Sequence, residues 1–164
     1  MSENLTANLP ETLRSIQTKH LFTMRADVRP IVVIGAAPGG YRRAGIVPGG
    51  EFDGDRLSGV VLDGGNDWQT LRSDGSVLLD VRLILKTDDG DLISMTYKGL
   101  RAGSPDILKR IDAGESVDPS KYYFRTNPLF ETSSSKYGWM NNILAIGSGF
   151  RGARGVIYSV FEVL

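Results

Sequence analysis

The chain has 164 residues, 41% hydrophobic and 23% charged, with nineteen basic side chains against nineteen acidic, twenty glycines and no cysteine. That length suits one domain with a single unstapled core, and the balanced charge supplies no overall field to draw the protein to nucleic acid or an anionic membrane. The missing thiols exclude disulfides, thiolate nucleophiles and iron–sulfur ligation together.

The start, "MSENLTANLPETL", lacks the basic and apolar regions of a secretory signal. Residues 1–15 read as a flexible segment ahead of one domain over 16–164. No run approaches the roughly 20 apolar residues of a membrane span, which with the absent cysteines predicts a cytoplasmic protein. "ANLPETLRSI" is the first of two short candidate helices. "HLFTMRADV" and "IVVIG" then show the two-residue period of strands. "GAAPGGYRR" is Gly-rich and basic but lacks the Gly-Lys-Ser/Thr ending of a P-loop. Its Arg42 and Arg43 are either solvated loop charges or partners for a ligand carboxylate or phosphate.

"RLSGVVLDG" is a further strand, and "GGNDWQTLRSDG" reads as a Gly-flanked loop carrying Asp67, Trp68 and Arg72. Burial beside Trp68 would raise the Asp67 pKa, as a general acid or base needs. An Asx turn explains Asp67 equally well. "SVLLDVRLILKT" and "DLISMTYKGL" flank "DDG" at 88–90, a hairpin signal. Val77, Leu79, Val81, Leu83 and Leu85 share a fully apolar face, with Asp80 and Arg82 on the other. Few helices are available to cover that face, so a homodimer is expected. Asp80 and Arg82 then look into the barrel or form an ion pair on a wet surface. "SPDILKRIDAGE" has Ser104 as N-cap, Pro105 at the first helical position and Gly114 as a stop, and reads as a surface loop or a single-turn helix.

In "KYYFRTNPLFET", Tyr123, Arg125, Asn127, Leu129 and Glu131 fall on one side, and Tyr122, Phe124, Thr126, Pro128 and Phe130 on the other. "YGWMNNILAIG" puts Tyr137, Trp139 and Asn141 in phase. Aromatics interleaved with Arg, Glu and Asn describe a pocket for a partly apolar ligand, or an ordinary half-buried hairpin. Gly147 to Gly152 spell G-x-G-x-x-G, but "GVIYSVFEVL" follows with strand alternation. No helix is left for a phosphate to cap, and the stretch reads as a loop between the last two strands.

About eight strands with Gly-rich turns and no long helix predict an all-β fold, a compact antiparallel β-barrel, with a two-sheet sandwich as the alternative. His20 stands alone, which argues against a histidine metal site and a Ser-His-Asp triad. No metal and no cofactor are expected. The remaining tools, Asp, Glu, Tyr, Arg and Asn, suit cofactor-free proton transfer.

The combination of "GG-x-F-x-G" over Gly49–Gly54, "GG-x-DW" over Gly64–Trp68, "YYFRT-x-P-x-FET" over Tyr122–Thr132 and "Y-x-W-x-N" over Tyr137–Asn141 resembles the DUF3237 family, also called the UPF0311 proteins, from about His20 to the C-terminus. The resemblance implies a compact barrel similar to the calycin-like barrels. It carries over no catalytic residues, because the family has lacked a general assigned activity. Met140 stands where Leu is expected, a volume-conserving change. The polar and aromatic residues of these motifs are the site candidates. In the expected scheme Arg125 holds a carboxylate or enolate oxygen, and Glu131, Asp80 or Asp67 moves a proton. Phe52, Trp68, Tyr97, Tyr137, Trp139, Asn141 and Arg42 surround the ligand. The expected function is a cofactor-independent lyase, hydratase or isomerase acting on a small aromatic or polyketide-like carbonyl compound or acid. A non-catalytic carrier or sensor with the same cavity is the alternative.

Overall fold

The computed structural model describes residues 4–152 and 154–164. The first three residues of the segment expected to be flexible therefore lie outside the described residues. The elements are β1 (Thr18–Asp27), β2 (Val32–Ala37), β3 (Gly40–Val47), β4 (Gly49–Asp53), β5 (Gly59–Val61), β6 (Gly65–Leu71), β7 (Val77–Thr87), β8 (Leu92–Ala102), α1 (Pro105–Asp112), β9 (Tyr123–Thr126), β10 (Leu129–Glu131), β11 (Ala145–Gly152) and β12 (Gly155–Val163), with short 3₁₀ turns between some of them. Every pairing is antiparallel. Hydrogen bonding runs β8–β9–β11–β12–β1–β4–β5–β7 and returns to β8, so the sheet closes on itself as a barrel. Closure removes most exposed edges. β6, β3 and β2 extend from β7 as a flap, with β2 at its margin.

The sheet has twelve strands rather than about eight. β4 contains the Gly49–Gly50 pair, and β6 is the Gly-flanked Asp67 segment that reads as a loop, whereas Gly39 and Gly64 do lie in turns. Long strands here are broken in two: β5 and β6 both pair along β7, and β9 and β10 both pair along β8. The second break falls at Asn127–Pro128, where Pro has no N–H for the ladder. Asn127 bridges it, its N–H donating to the Lys98 carbonyl at 3.1 Å and its side-chain oxygen accepting the Lys98 N–H at 2.9 Å. Glycine is required where strands cross most closely. A methyl group at Gly50 would run into the Arg25 carbonyl, and one at Gly59 into the Lys86 carbonyl.

Three other expectations are corrected. Gly147 to Gly152 is not a loop but most of β11, paired throughout with β12. Tyr137, Trp139 and Asn141 lie not on a strand but in and beside a 3₁₀ turn, Gly138–Asn142. The "SPDILKRIDAGE" segment is a helix of two turns that buries Ile107, Leu108 and Ile111 against one end of the barrel. Its charged exposed residues point to a surface segment, but its apolar positions at i, i+1 and i+4 mark one buried face.

The apolar face of β7 is the inner wall: Val77, Leu79, Val81, Leu83 and Leu85 are all at most 5% exposed. The barrel interior covers that face, so it gives no reason to invoke a second subunit. At the end of the barrel holding the β7–β8 hairpin the filling is aromatic and aliphatic. Phe22 stands 5.5 Å from Phe52 and 6.0 Å from Phe130, ring centre to ring centre, among Leu85, Ile93 and Met95. Each such buried side chain contributes about 1.5–3 kcal/mol. Among the described residues no helix is long and apolar enough to cross a membrane.

Candidate active site

At the opposite end, where β7 begins and β8 and β11 finish, the inward positions turn polar. Alternation on β6 aims Asp67 and Gln69 inward, both at most 9% exposed. On β8 the same period brings in Tyr97 and Arg101, and on β12 Tyr158. These five, with Arg151 of β11 and apolar neighbours that include Val47, Leu79, Val81, Phe124 and Val156, line a cavity of about 30 Å³. That is room for a water molecule.

The polar groups form a chain from the interior to α1. One Asp67 carboxylate oxygen accepts the Gln69 amide at 2.6 Å and the other accepts the Asp80 N–H at 3.3 Å. The Gln69 oxygen accepts from Arg43 Nε at 2.6 Å. Arg43 reaches Asp112, the last residue of α1, at 3.3 and 3.4 Å, and Arg101 Nη2 donates to the same carboxylate at 2.6 Å. Arg101 Nε is buried with no hydrogen-bond partner.

Burial governs the ionisation of this cluster. It raises the Asp67 pKa above the ordinary carboxylate value, against the opposing pull of the Gln69 and Asp80 hydrogen bonds and of Arg101 and Arg43. The Tyr97 and Tyr158 hydroxyls, hydrogen-bonded to one another, are pushed further up, first by burial and then by neighbouring charge. Both phenols therefore stay neutral. Two hydroxyls sharing one hydrogen bond leave one O–H proton free to donate. Burial also lowers the Arg101 pKa, with Asp112 opposing and Arg43 and Arg151 adding to the fall.

Of the residues expected at the site, the structure brings two together here, Asp67 and Tyr97. Arg125 and Glu131 do share one side of their segment, but it is the outer side. Tyr122, Phe124, Thr126 and Phe130 are the inward set. The expectation of a guanidinium and a carboxylate in one enclosed space is corrected accordingly. Arg125 donates to the Phe124 carbonyl at 2.9 Å and lies over the Tyr123 ring at 5.2 Å. It borders an outer groove of about 500 Å³ with Lys98, Asn127 and Ile146. That groove is larger than the inner cavity, yet its charged groups are solvated.

Asp80 is also on the outer wall, paired with Lys98 at 2.5 Å and Arg82 at 3.4 Å. Trp68, 44% exposed, faces outward, one residue out of phase with Asp67. Arg42 is likewise one residue out of phase with Arg43, which makes the contacts. Phe52 is in the aromatic core. Tyr137 donates to Asp89 at 2.5 Å, Trp139 lies under the Arg56 guanidinium at 3.4 Å, and Asn141 bonds both the N–H and the carbonyl of Thr132. These three fasten the 3₁₀ turn to its surroundings, away from the polar end.

Gln69, Arg101, Arg151, Tyr158 and the inward aim of Arg43 were missed. Two of these had a signal in the sequence. Gln69 follows Asp67 at the two-residue strand spacing, and Arg101 lies in phase with Tyr97.

Comparison with known proteins agrees with this architecture. The family described as "Protein of unknown function (DUF3237)" matches residues 16–163. A UPF0311 protein of Rhodopseudomonas palustris is 37% identical over 150 residues, which cover 92% of this chain and 98% of that protein. The crystal structure of a beta-barrel like protein from Acinetobacter baumannii superposes with a TM-score of 0.80 at 40% identity, covering 96% of this chain and 99% of that one. A "Hydroalkoxylation enzyme phnH" of Penicillium herquei is 30% identical over 104 residues, 63% of this chain and 51% of that protein. The strand pairing, the core and these matches agree, and the chain belongs to the DUF3237 family.

Proposed function

We propose that the protein is a cofactor-independent acid–base enzyme that adds an O–H group across a carbon–carbon double bond, or removes one, in a small aromatic or polyketide-like molecule. The observation carrying this reading is the Asp67 carboxyl, held inside the barrel with its pKa raised by burial and its two oxygens fixed by Gln69 and the Asp80 N–H. Burial favours the protonated form of this carboxyl, which suits a group that gives a proton and takes one back. In the forward direction Asp67 protonates one alkene carbon. The π pair forms that C–H bond, and the hydroxyl oxygen bonds to the other carbon. The hydroxyl proton then returns to the Asp67 carboxylate, leaving the enzyme unchanged. The Tyr97–Tyr158 pair supplies a neutral O–H donor for a carbonyl oxygen that gains charge along the way. The partial likeness to a hydroalkoxylation enzyme supports the reaction class.

The test is turnover of a panel of hydroxyalkenes and α,β-unsaturated ketones in D₂O, followed by deuterium incorporation at carbon. Wild type incorporates deuterium, and Asp67→Asn loses about 10²–10⁴-fold in rate while still folding and binding. Equal rates for the two proteins would remove Asp67 from the chemistry. Binding by wild type without deuterium exchange on any panel member would leave the carrier reading.

A further inference from the structure

Arg101 is a buried cation whose hydrogen bonding is half complete. Its side chain is 8% exposed, its Nη2 meets Asp112 at 2.6 Å, and its Nε has no partner. Nε and Nη2 form one edge of the guanidinium, the edge that a carboxylate engages with two parallel bonds. Asp112 occupies one of those two positions and leaves the other empty. A buried, unpaired N–H of a charged group costs free energy that a structural ion pair of good geometry would have avoided. Asp112 does not complete the pair because it is also drawn to Arg43, which binds both of its oxygens.

The charge count points the same way. Arg43, Arg101 and Arg151 surround this end of the barrel and act on one another electrostatically through Arg101. Asp112, 38% exposed, is the carboxylate paired with two of them. Asp67 also feels Arg101 and Arg43, so three guanidiniums face two carboxylates, and the site still carries excess positive charge beside the unpaired Nε–H.

We infer that the substrate carries a carboxylate, and that this group takes the Nε–Nη2 edge of Arg101 in place of Asp112. Asp112 then retains Arg43 alone. The inference rests on the reading of this cavity as the reaction chamber, and it names the class of molecule admitted there. A cavity of about 30 Å³ holds no carbon skeleton, whereas ligand pockets measure roughly 300 Å³ or more. The Asp112 contacts tie the end of α1 to Arg43 of β3 and Arg101 of β8, and exchanging the Arg101 contact for the substrate leaves that end held by Arg43.

The experiment measures binding apart from turnover. Benzoate, trans-cinnamate and 4-hydroxyphenylacetate are titrated against wild type, each beside its neutral amide, by calorimetry and by NMR of the arginine Nε–H resonances. Carboxylates are expected to bind at least tenfold tighter than their amides, with the Arg101 Nε–H resonance moving. Asp112→Asn removes the competing charge and is expected to tighten the carboxylates about threefold or more, leaving the amides unchanged. Arg101→Met is expected to abolish the carboxylate preference, and Arg101→Lys, which keeps the charge without the fork, to restore part of it. Thermal melts establish that each variant is folded. Equal affinity for acids and amides, no tightening in Asp112→Asn, or no carboxylate binding even in that variant overturns the inference. Asp67→Asn is titrated in parallel. It keeps the carboxylate preference whether or not it turns over, so a failure of the acid–base reading and a failure of this one register in different measurements.

Discussion

The two ends of this barrel belong to one closed sheet and are filled with different materials. At the hairpin end β1, β4, β7, β8 and β10 send Phe22, Phe52, Leu85, Met95 and Phe130 into a packed apolar plug. A few residues along, β6, β8, β11 and β12 send Asp67, Gln69, Tyr97, Arg101, Arg151 and Tyr158 into a small chamber whose other walls, Leu79, Val81, Phe124 and Val156 among them, are apolar. The plug contributes stability by removing apolar surface from water. The chamber gives part of that up, because buried polar groups gain little net stability even when bonded. Placing both in one closed sheet lets the plug support the chamber.

The largest test of this division is Phe22→Ala. It should cost about 3–5 kcal/mol, read as a lowered denaturation midpoint, with turnover per folded molecule unchanged. A loss of turnover in the folded fraction would mean that the two ends are coupled. Tyr158→Phe at the polar end leaves the Tyr97 hydroxyl without its partner and should cost about 1 kcal/mol by the same measurement. Asp67 supplies a pH signature. Its folded-state pKa is raised above the ordinary value of 3.8, so the protonated form stabilises the fold. That contribution is complete below the ordinary value and is lost as pH rises through the raised one. The melting temperature of Asp67→Asn relative to wild type should therefore climb from pH 3 towards pH 7. A flat difference would show that burial does not perturb this carboxyl. The smallest effect is expected from Arg125→Ala on the outer wall, within about 0.5 kcal/mol and with turnover unchanged. A large loss there would move the site outside the barrel.

Much of the fold was legible because strand alternation is strict. Val77–Leu85 reads as one apolar face, and it is the inner wall. Alternation names two faces without saying which is inside, and in "KYYFRTNPLFET" the expected scheme puts the side with the charged residues in the lumen. The composition did hold the answer, since Phe124 and Phe130 share the other side with Tyr122. Asp67 was singled out, but its flanking glycines suggested a loop, so the in-phase Gln69 passed unnoticed. Tyr158 and Arg151 could not be found from the chain alone. Their place beside Asp67 depends on how β11 and β12 meet the rest of the ring, and that register is a three-dimensional property.

The crossings at Gly50 and Gly59 bear on size. There β1 meets β4, and β5 meets β7, with no side chain between the main chains. The girth of the ring is thus set by backbone touching backbone, and trimming side chains elsewhere cannot widen it. A guest larger than a water molecule must therefore find its space by rearranging side chains within a ring of fixed girth.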